Sequence, residues 1–243
     1  MAKPAIEAAV DDVNSDLTVL AEMKLNLFLH DTNCSVFLGI VEALQLMEND
    51  VVAVIGPQSS GIVHVISRVV NELHVPLMSF AATDPMLSAL QFPYFLRTTH
   101  NDYFQILRLD NFFCSKVASD VDRRYIWIAT DWLPSVLDLS ESIDPNTMNL
   151  LQGIIALHHH TPDFDLKKSF TSRWKNFTYR ETSSINGSTL HLTRLRTFQE
   201  GQKLLQILPG MNFTGLTGQI QFDSEKNLIL PAFDILKISG NGS

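Results

Sequence analysis

An α/β fold with doubly wound parallel sheets is predicted by three features of the chain. VVAVIG at 51–56 is a continuous apolar run, as expected of a strand buried on both faces of a parallel sheet. Helical stripes flank it, with Phe37, Ile40, Val41, Leu44 and Met47 before it and Ile62, Val65, Ile66, Val69 and Leu73 after it. Helix and strand patterns also alternate through the first 80 residues, the signature of a layered α/β sheet.

In chain order, KPAIEAAVDDVNSD sets Ile6, Val10 and Val13 on one helical stripe. KLNLFLHD at 24–31 alternates apolar and polar residues and is expected as a strand. The helix at 35–48, the strand 51–56, the helix through Leu73 and the strand PLMSF at 76–80 follow. Beyond PYFLRTT the pattern weakens, and residues 102–119 are only loosely helical. YIWIAT at 125–130 reads as a buried strand opening a second α/β unit, and GIIALHHH at 153–160 as another strand. Thr161-Pro162-Asp163 marks a helix start before the helical pattern at 164–176. After a polar loop at 178–188 come a helix around Leu195–Leu208 and two strands, in GLTGQIQFD and AFDILKI. The expected organisation is a first lobe at 1–104, lacking its first strand, and a second-lobe remnant with the C-terminal strands at 105–243.

Composition narrows the function. The 243 residues carry 18 Lys+Arg against 26 Asp+Glu, a net charge of −8, which argues against nucleic-acid binding. The charged fraction of 18% is below the roughly 25% of ordinary soluble domains, so part of the surface is expected to be apolar or neutral, facing either a partner or a missing piece of chain. No apolar run approaches the ~20 residues of a membrane span. The opening residues lack the apolar run of a secretory signal. Cys34 and Cys114 are too few for a disulfide scaffold and lack the CxxC spacing of a redox or zinc site. Sequons stand at Asn33, Asn176, Asn186, Asn212 and Asn241, a density usual in extracellular proteins.

Two loops carry the chemistry. Gly56-Pro57-Gln58-Ser59-Ser60-Gly61 joins an apolar strand to a helix, where open α/β sheets bind ligands. A helix N-terminus there suits a carboxylate, although Ser59 or Ser60 would serve equally as a cap. Ile62 stands where a phosphate-binding loop requires Lys, which disfavours nucleotide hydrolysis. Ala81-Ala82-Thr83-Asp84-Pro85 follows the next strand; Thr83 can offer a hydroxyl, and Asp84-Pro85 is an ordinary helix start. Asp131 follows YIWIAT, either as a turn residue or as the partner of an ammonium group. His158, His159 and His160 lack a third ligand in zinc spacing and read as a solvated strand end. No nucleophile motif, metal motif or cofactor fingerprint occurs, so neither catalytic residues nor a cofactor are assigned.

The blocks DTNCSVFLGIVEALQLMEND, AVIGPQSSGIVHVISRVVNELHVPLMSFAATDPMLSALQFPYFLRTT, YIWIATDWLPSVLD, LHHHTPDFDLKKSFTSRWKN and MNFTGLTGQIQFDSEKNLILPAFDIL resemble the amino-terminal ligand-binding domain of plant glutamate receptor-like channels. The resemblance implies a periplasmic-binding-protein-like clamshell of two doubly wound lobes, here with an incomplete second lobe, as in a truncated relative. It implies a small amino-acid-like ligand held by Ser59 or Ser60, Ala82, Thr83 and Asp131. It further implies an extracellular location, oligomeric receptor subunits and coupling to a calcium-permeable channel. A ligand-free interaction protein that keeps the first-lobe dimer surface is the alternative, and an α/β enzyme is a third reading. With half a site, amino-acid affinity is expected to be no better than millimolar.

Overall fold

The computed structural model describes residues 2–88, 90–106, 127–130, 133–134, 137, 144–177, 195–229 and 233–239. Helix α1 (Ala2–Ser15) is followed by the single turn α2 (Leu17–Leu20), where the Asp16 carboxylate accepts from the Thr18 N–H at 2.9 Å. Ser35 caps α3 (Val36–Glu48), its hydroxyl accepting from the Leu38 N–H. Strand β1 (Val54–Ile55), helix α4 (Ser60–Leu73) and strands β2 (Leu77–Ser79) and β3 (Phe95–Arg97) complete the first layer. The sheet is parallel in the order β1-β2-β3, with Leu77 opposite both Val54 and Phe95. Met47 of α3, Val63, Ile66 and Val70 of α4, and Leu77 and Phe95 form its core.

Residues 24–31, expected as a strand, join no ladder among the described residues. Asn14 shows what happens instead at Leu25. Its side-chain amide accepts from the Leu25 N–H at 2.7 Å and donates to the Leu25 carbonyl at 3.0 Å. Both backbone groups that a neighbouring strand would need are thus taken. Alternation marks the two faces of a segment but does not supply its partner.

The second sheet has the order β4-β5-β8: β4 (Ile128–Ala129) runs parallel to β5 (Ile155–His159), and β8 (Phe233–Lys237) antiparallel to it. YIWIAT is not the fully buried strand expected, because only the Ala129 side meets Leu133, Leu137 and Ala156, while Trp127 and Ile128 are exposed. Asp144 caps α5 (Pro145–Leu151) by accepting from the Thr147 N–H. Helix α6 (Asp165–Phe177) begins two residues beyond Asp163. GLTGQIQFD spans the turn and return strand of a hairpin, β6 (Phe213–Gly215) with β7 (Gly218–Ile220), instead of forming a single strand.

The helix expected from Leu195 starts only at α7 (Gly201–Ile207), because the preceding residues are drawn onto α4: the Phe198 N–H donates to the Leu73 carbonyl at 2.7 Å. Gly201 lies so close to α4 that a Cβ there would fall 1.7 Å from the His74 carbonyl oxygen. Leu195 and Phe198 extend the first core, and Leu205, Leu208 and Phe222 pack with Tyr94, Leu96 and Met78. The chain therefore returns to the first sheet after β5 of the second. The two sheets meet where His100, beyond β3, stacks on His159 of β5 at 5.1 Å and meets Phe233 of β8 edge-on at 5.5 Å.

Candidate functional site

Because β1 and β2 are parallel, the loops that follow them emerge at the same end of the sheet, where such folds bind ligands. Gly56 turns the chain out of β1 with φ 100°, a conformation that strains any residue with a Cβ. The two loops are tied together from below by Ser79. This fully buried residue donates from Oγ to the Pro57 carbonyl at 3.3 Å and accepts from the Ala82 N–H at 3.1 Å. They are tied again at the rim: Ser60 Oγ accepts from the Asp84 N–H at 3.4 Å, and His64 Nε2 lies 2.8 Å from Asp84 Oδ2.

Ser59 holds the N-cap position of α4 in extended backbone, yet its exposed hydroxyl makes no capping bond. The Ile62 and Val63 N–H groups donate to the Ser59 carbonyl, while those of Ser60 and Gly61 have no partner within the helix. Two backbone donors, a hydroxyl and the positive end of the helix dipole therefore converge on one spot. Thr83 is half-buried; its carbonyl accepts from the Asp102 N–H at 2.8 Å and from Arg97 Nη1 at 3.3 Å. Ala82 is fully buried with its N–H already committed to Ser79, so it contributes packing and not a free donor. Ser60 and Thr83 thus stand on loops joined at one end of the sheet. Asp131 lies outside the described residues.

Asp84-Pro85 does not start a helix. Asp84 Oδ1 accepts from the Met86 N–H at 2.8 Å and closes a turn, and the His64 imidazole holds its carboxyl below the usual carboxylate range. Arg97, which the sequence reading passed over, is 1% exposed at the end of β3. Its Nη2 donates to the Asp84 carbonyl at 2.8 Å and to the Leu87 carbonyl at 2.5 Å. Burial pushes its pKa down to about 10, opposed by the charges of Asp84 and Asp102. A lone cation inside the apolar run YFLR was the available signal, since buried Arg requires dedicated acceptors.

The histidine triplet is not simply solvated: His159 packs in the aromatic cluster with His100, and His160 Nδ1 reaches Asp234 at 3.0 Å. No group of three metal-ligating side chains occurs among the described residues. Asn33 and Asn212 are exposed; the Asn176 side chain, Asn186 and Asn241 lie outside the described residues, as does Cys114, while Cys34 is exposed and free. A cavity of about 540 Å³, lined by Met47, Asp50, Val75, Arg196 and Phe198, opens at the opposite, amino end of β1 and β2. The crevice at the loops after β1 and β2 is the better candidate because unsatisfied donors converge there.

Residues 1–113 and 178–241 match the receptor family ligand binding region. Glutamate receptor 3.4 of Arabidopsis thaliana is 38% identical over 356 aligned positions, covering 98% of this chain. Glutamate receptor 3.1 of Oryza sativa subsp. japonica is 31% identical and covers 100% of it. The chain spans 37% and 39% of the length of these relatives. The 356 aligned positions exceed the 243 residues present, so the Arabidopsis relative carries internal stretches without counterpart here. Among solved structures, the substrate-binding protein LivJ of Streptococcus pneumoniae, in complex with isoleucine, superposes with a TM-score of 0.64 at 13% identity, covering 98% of this chain and 90% of that one. A substrate-binding protein of Desulfitobacterium hafniense, complexed with Leu, gives 0.65 at 13% identity, over 97% and 92% of the two chains. These likenesses establish the two-lobed, periplasmic-binding-protein-like α/β fold. With a family match over most of its length and near-complete coverage by plant relatives, the chain belongs to the ligand-binding regions of the glutamate receptor-like family.

Proposed function

We propose that this chain is the non-enzymatic, amino-acid-sensing region of a plant glutamate receptor-like cation channel, placed on the extracellular side of its membrane. The observation that carries the reading is the crevice itself. Free N–H groups at Ser60 and Gly61, the uncommitted Ser59 hydroxyl and the adjoining Thr83 together suit an α-carboxylate. Isoleucine and leucine in the two superposed binding proteins support a ligand of that class. In this reading Asp131 approaches the ligand from the second lobe.

Affinity is expected to be low. Charge-assisted hydrogen bonds contribute about 1.5 to 3 kcal/mol each, and association costs at least about 4 kcal/mol, so a few one-sided contacts give roughly millimolar binding. Calorimetry and NMR titration of the chain with the proteinogenic amino acids test the reading. Saturable binding weakened by Ser60→Ala and Thr83→Ala supports it, and saturable binding indifferent to both sinks the site.

A second reading has its own observation. Leu17, Val19, Val36 and Phe37 are exposed apolar residues on α2 and α3, which favours association with another subunit. Sedimentation showing a concentration-dependent dimer without amino-acid binding would select it.

A further inference from the structure

The Asp84 backbone N–H donates to Ser60 Oγ at the start of α4, and the Asp84 carboxylate reaches His64 one turn further along the same helix. The Asp84 side chain is 35% exposed, so part of it remains open to solvent. Oδ1 accepts from the Met86 N–H and Oδ2 meets His64, yet a carboxylate offers about four lone-pair positions, leaving roughly two for a ligand. The carboxylate and ammonium of an amino acid flank a single carbon, and here a seat for an anion lies beside a carboxylate.

We propose that Asp84 receives the ligand's ammonium group and that His64 gates it, so that one lobe meets both charges of an α-amino acid. The assignment rests on reading the crevice as the ligand site. The hydrogen bond from His64, followed by that from the Met86 N–H, holds Asp84 anionic to lower pH than an ordinary carboxyl. The other charged groups around the pair are Arg97 of β3, Asp102 beyond it, and Arg68 one turn further along α4. Arg97 is spent on backbone carbonyls and does not change charge near neutrality. A neutral His64 ring donates one hydrogen bond to Asp84 and leaves its charge for the ligand. A protonated ring neutralises Asp84 and repels an ammonium group. Binding should therefore weaken on acidification.

The test uses the whole chain with L-leucine and with 4-methylpentanoate, which is leucine without its amino group, by calorimetry at about pH 8 and about pH 5.5, across the range in which imidazoles ordinarily gain charge. Leucine should bind about tenfold more tightly than the alkanoate at the higher pH, the worth of one charge-assisted contact. Asp84→Asn should abolish that advantage without weakening alkanoate binding, since it also relieves the repulsion between two carboxylates, and Asp84→Glu should restore part of it. His64→Gln, which keeps a donor but cannot take a proton in this range, should remove the pH dependence of leucine binding. If leucine and the alkanoate bind equally, if Asp84→Asn is silent while Asp131→Asn is not, or if His64→Gln keeps the same pH profile, the proposal is overturned and the ligand crevice stands. If the unaltered chain binds neither compound, both fall together.

Discussion

In the first sheet Leu77, at the start of the central strand β2, is fully buried, whereas in the second sheet Ile235 and Leu236 of the edge strand β8 are 39% and 42% exposed. Both strands are apolar in sequence. The first sheet is covered by α3 and α4 and, through Leu205, Leu208 and Phe222, by chain that returns from far along the sequence. Among the described residues the second sheet buries only Ala129, Leu133, Ala156 and Leu157, with a few partly buried neighbours. Apolar content alone therefore does not bury a strand; the covering element does, and here it arrives more than a hundred residues later.

This contrast is broken or sharpened most strongly by deleting one side chain from each sheet. Leu77→Ala should cost about 2 to 5 kcal/mol of stability, while Leu236→Ala should cost under about 1 kcal/mol, read from urea denaturation. Equal losses would mean that the second sheet is covered as well as the first. Next comes Arg97→Met, which removes one donor from each of the Thr83, Asp84 and Leu87 carbonyls and leaves that of Leu87 without its partner, at a cost of about 1 to 3 kcal/mol. Its amide exchange should rise at residues 83–87 before it rises in β5. Gly201→Ala forces a methyl into the His74 carbonyl and should cost about 1 to 3 kcal/mol. Faster exchange of the Phe198 N–H would show the returning segment lifting from α4, while unchanged exchange would show that it docks through other contacts.

The smallest effect concerns acid. Asp84 has its folded pKa lowered by His64, so the stability it supplies is complete above the ordinary carboxylate range and is lost as pH falls through the lowered folded value. Asp84→Asn should flatten that acid limb by less than about 1 kcal/mol, because the pair is about a third open to water. A melting-temperature profile against pH measures it.

The first layer was legible in the strong period of α3 and α4, but the apolar run 51–56 is not the strand buried on both faces that was expected: only Val54–Ile55 is strand, and Val52 and Ile55 are exposed because β1 lies at the edge of the described sheet. That the loops carrying Ser60 and Thr83 share one end of the sheet was legible because parallel strands send successive loops to the same end. What sequence could not give was pairing. Asn14 satisfies Leu25 where a strand partner was expected, and Phe198 bonds to Leu73 across a gap that no local pattern spans. Arg97 and His64 were missed for the same reason: their acceptors lie on a loop that folds back onto them, and periodicity does not record which carbonyl a side chain will find.

The return of residues 195–228 to the first sheet also bears on synthesis at the ribosome. Tyr94 waits for Gln202, 108 residues away, and Lys226 reaches the Pro93 carbonyl across 133. A nascent chain that has completed β3 therefore holds its first sheet with Tyr94 and Leu96 uncovered until most of the polypeptide has emerged. Contacts of such long separation slow folding and prolong the exposure of sticky surface. Translation halted before residue 195 should give a chaperone-bound, protease-sensitive product, and one carried past residue 228 a resistant first layer.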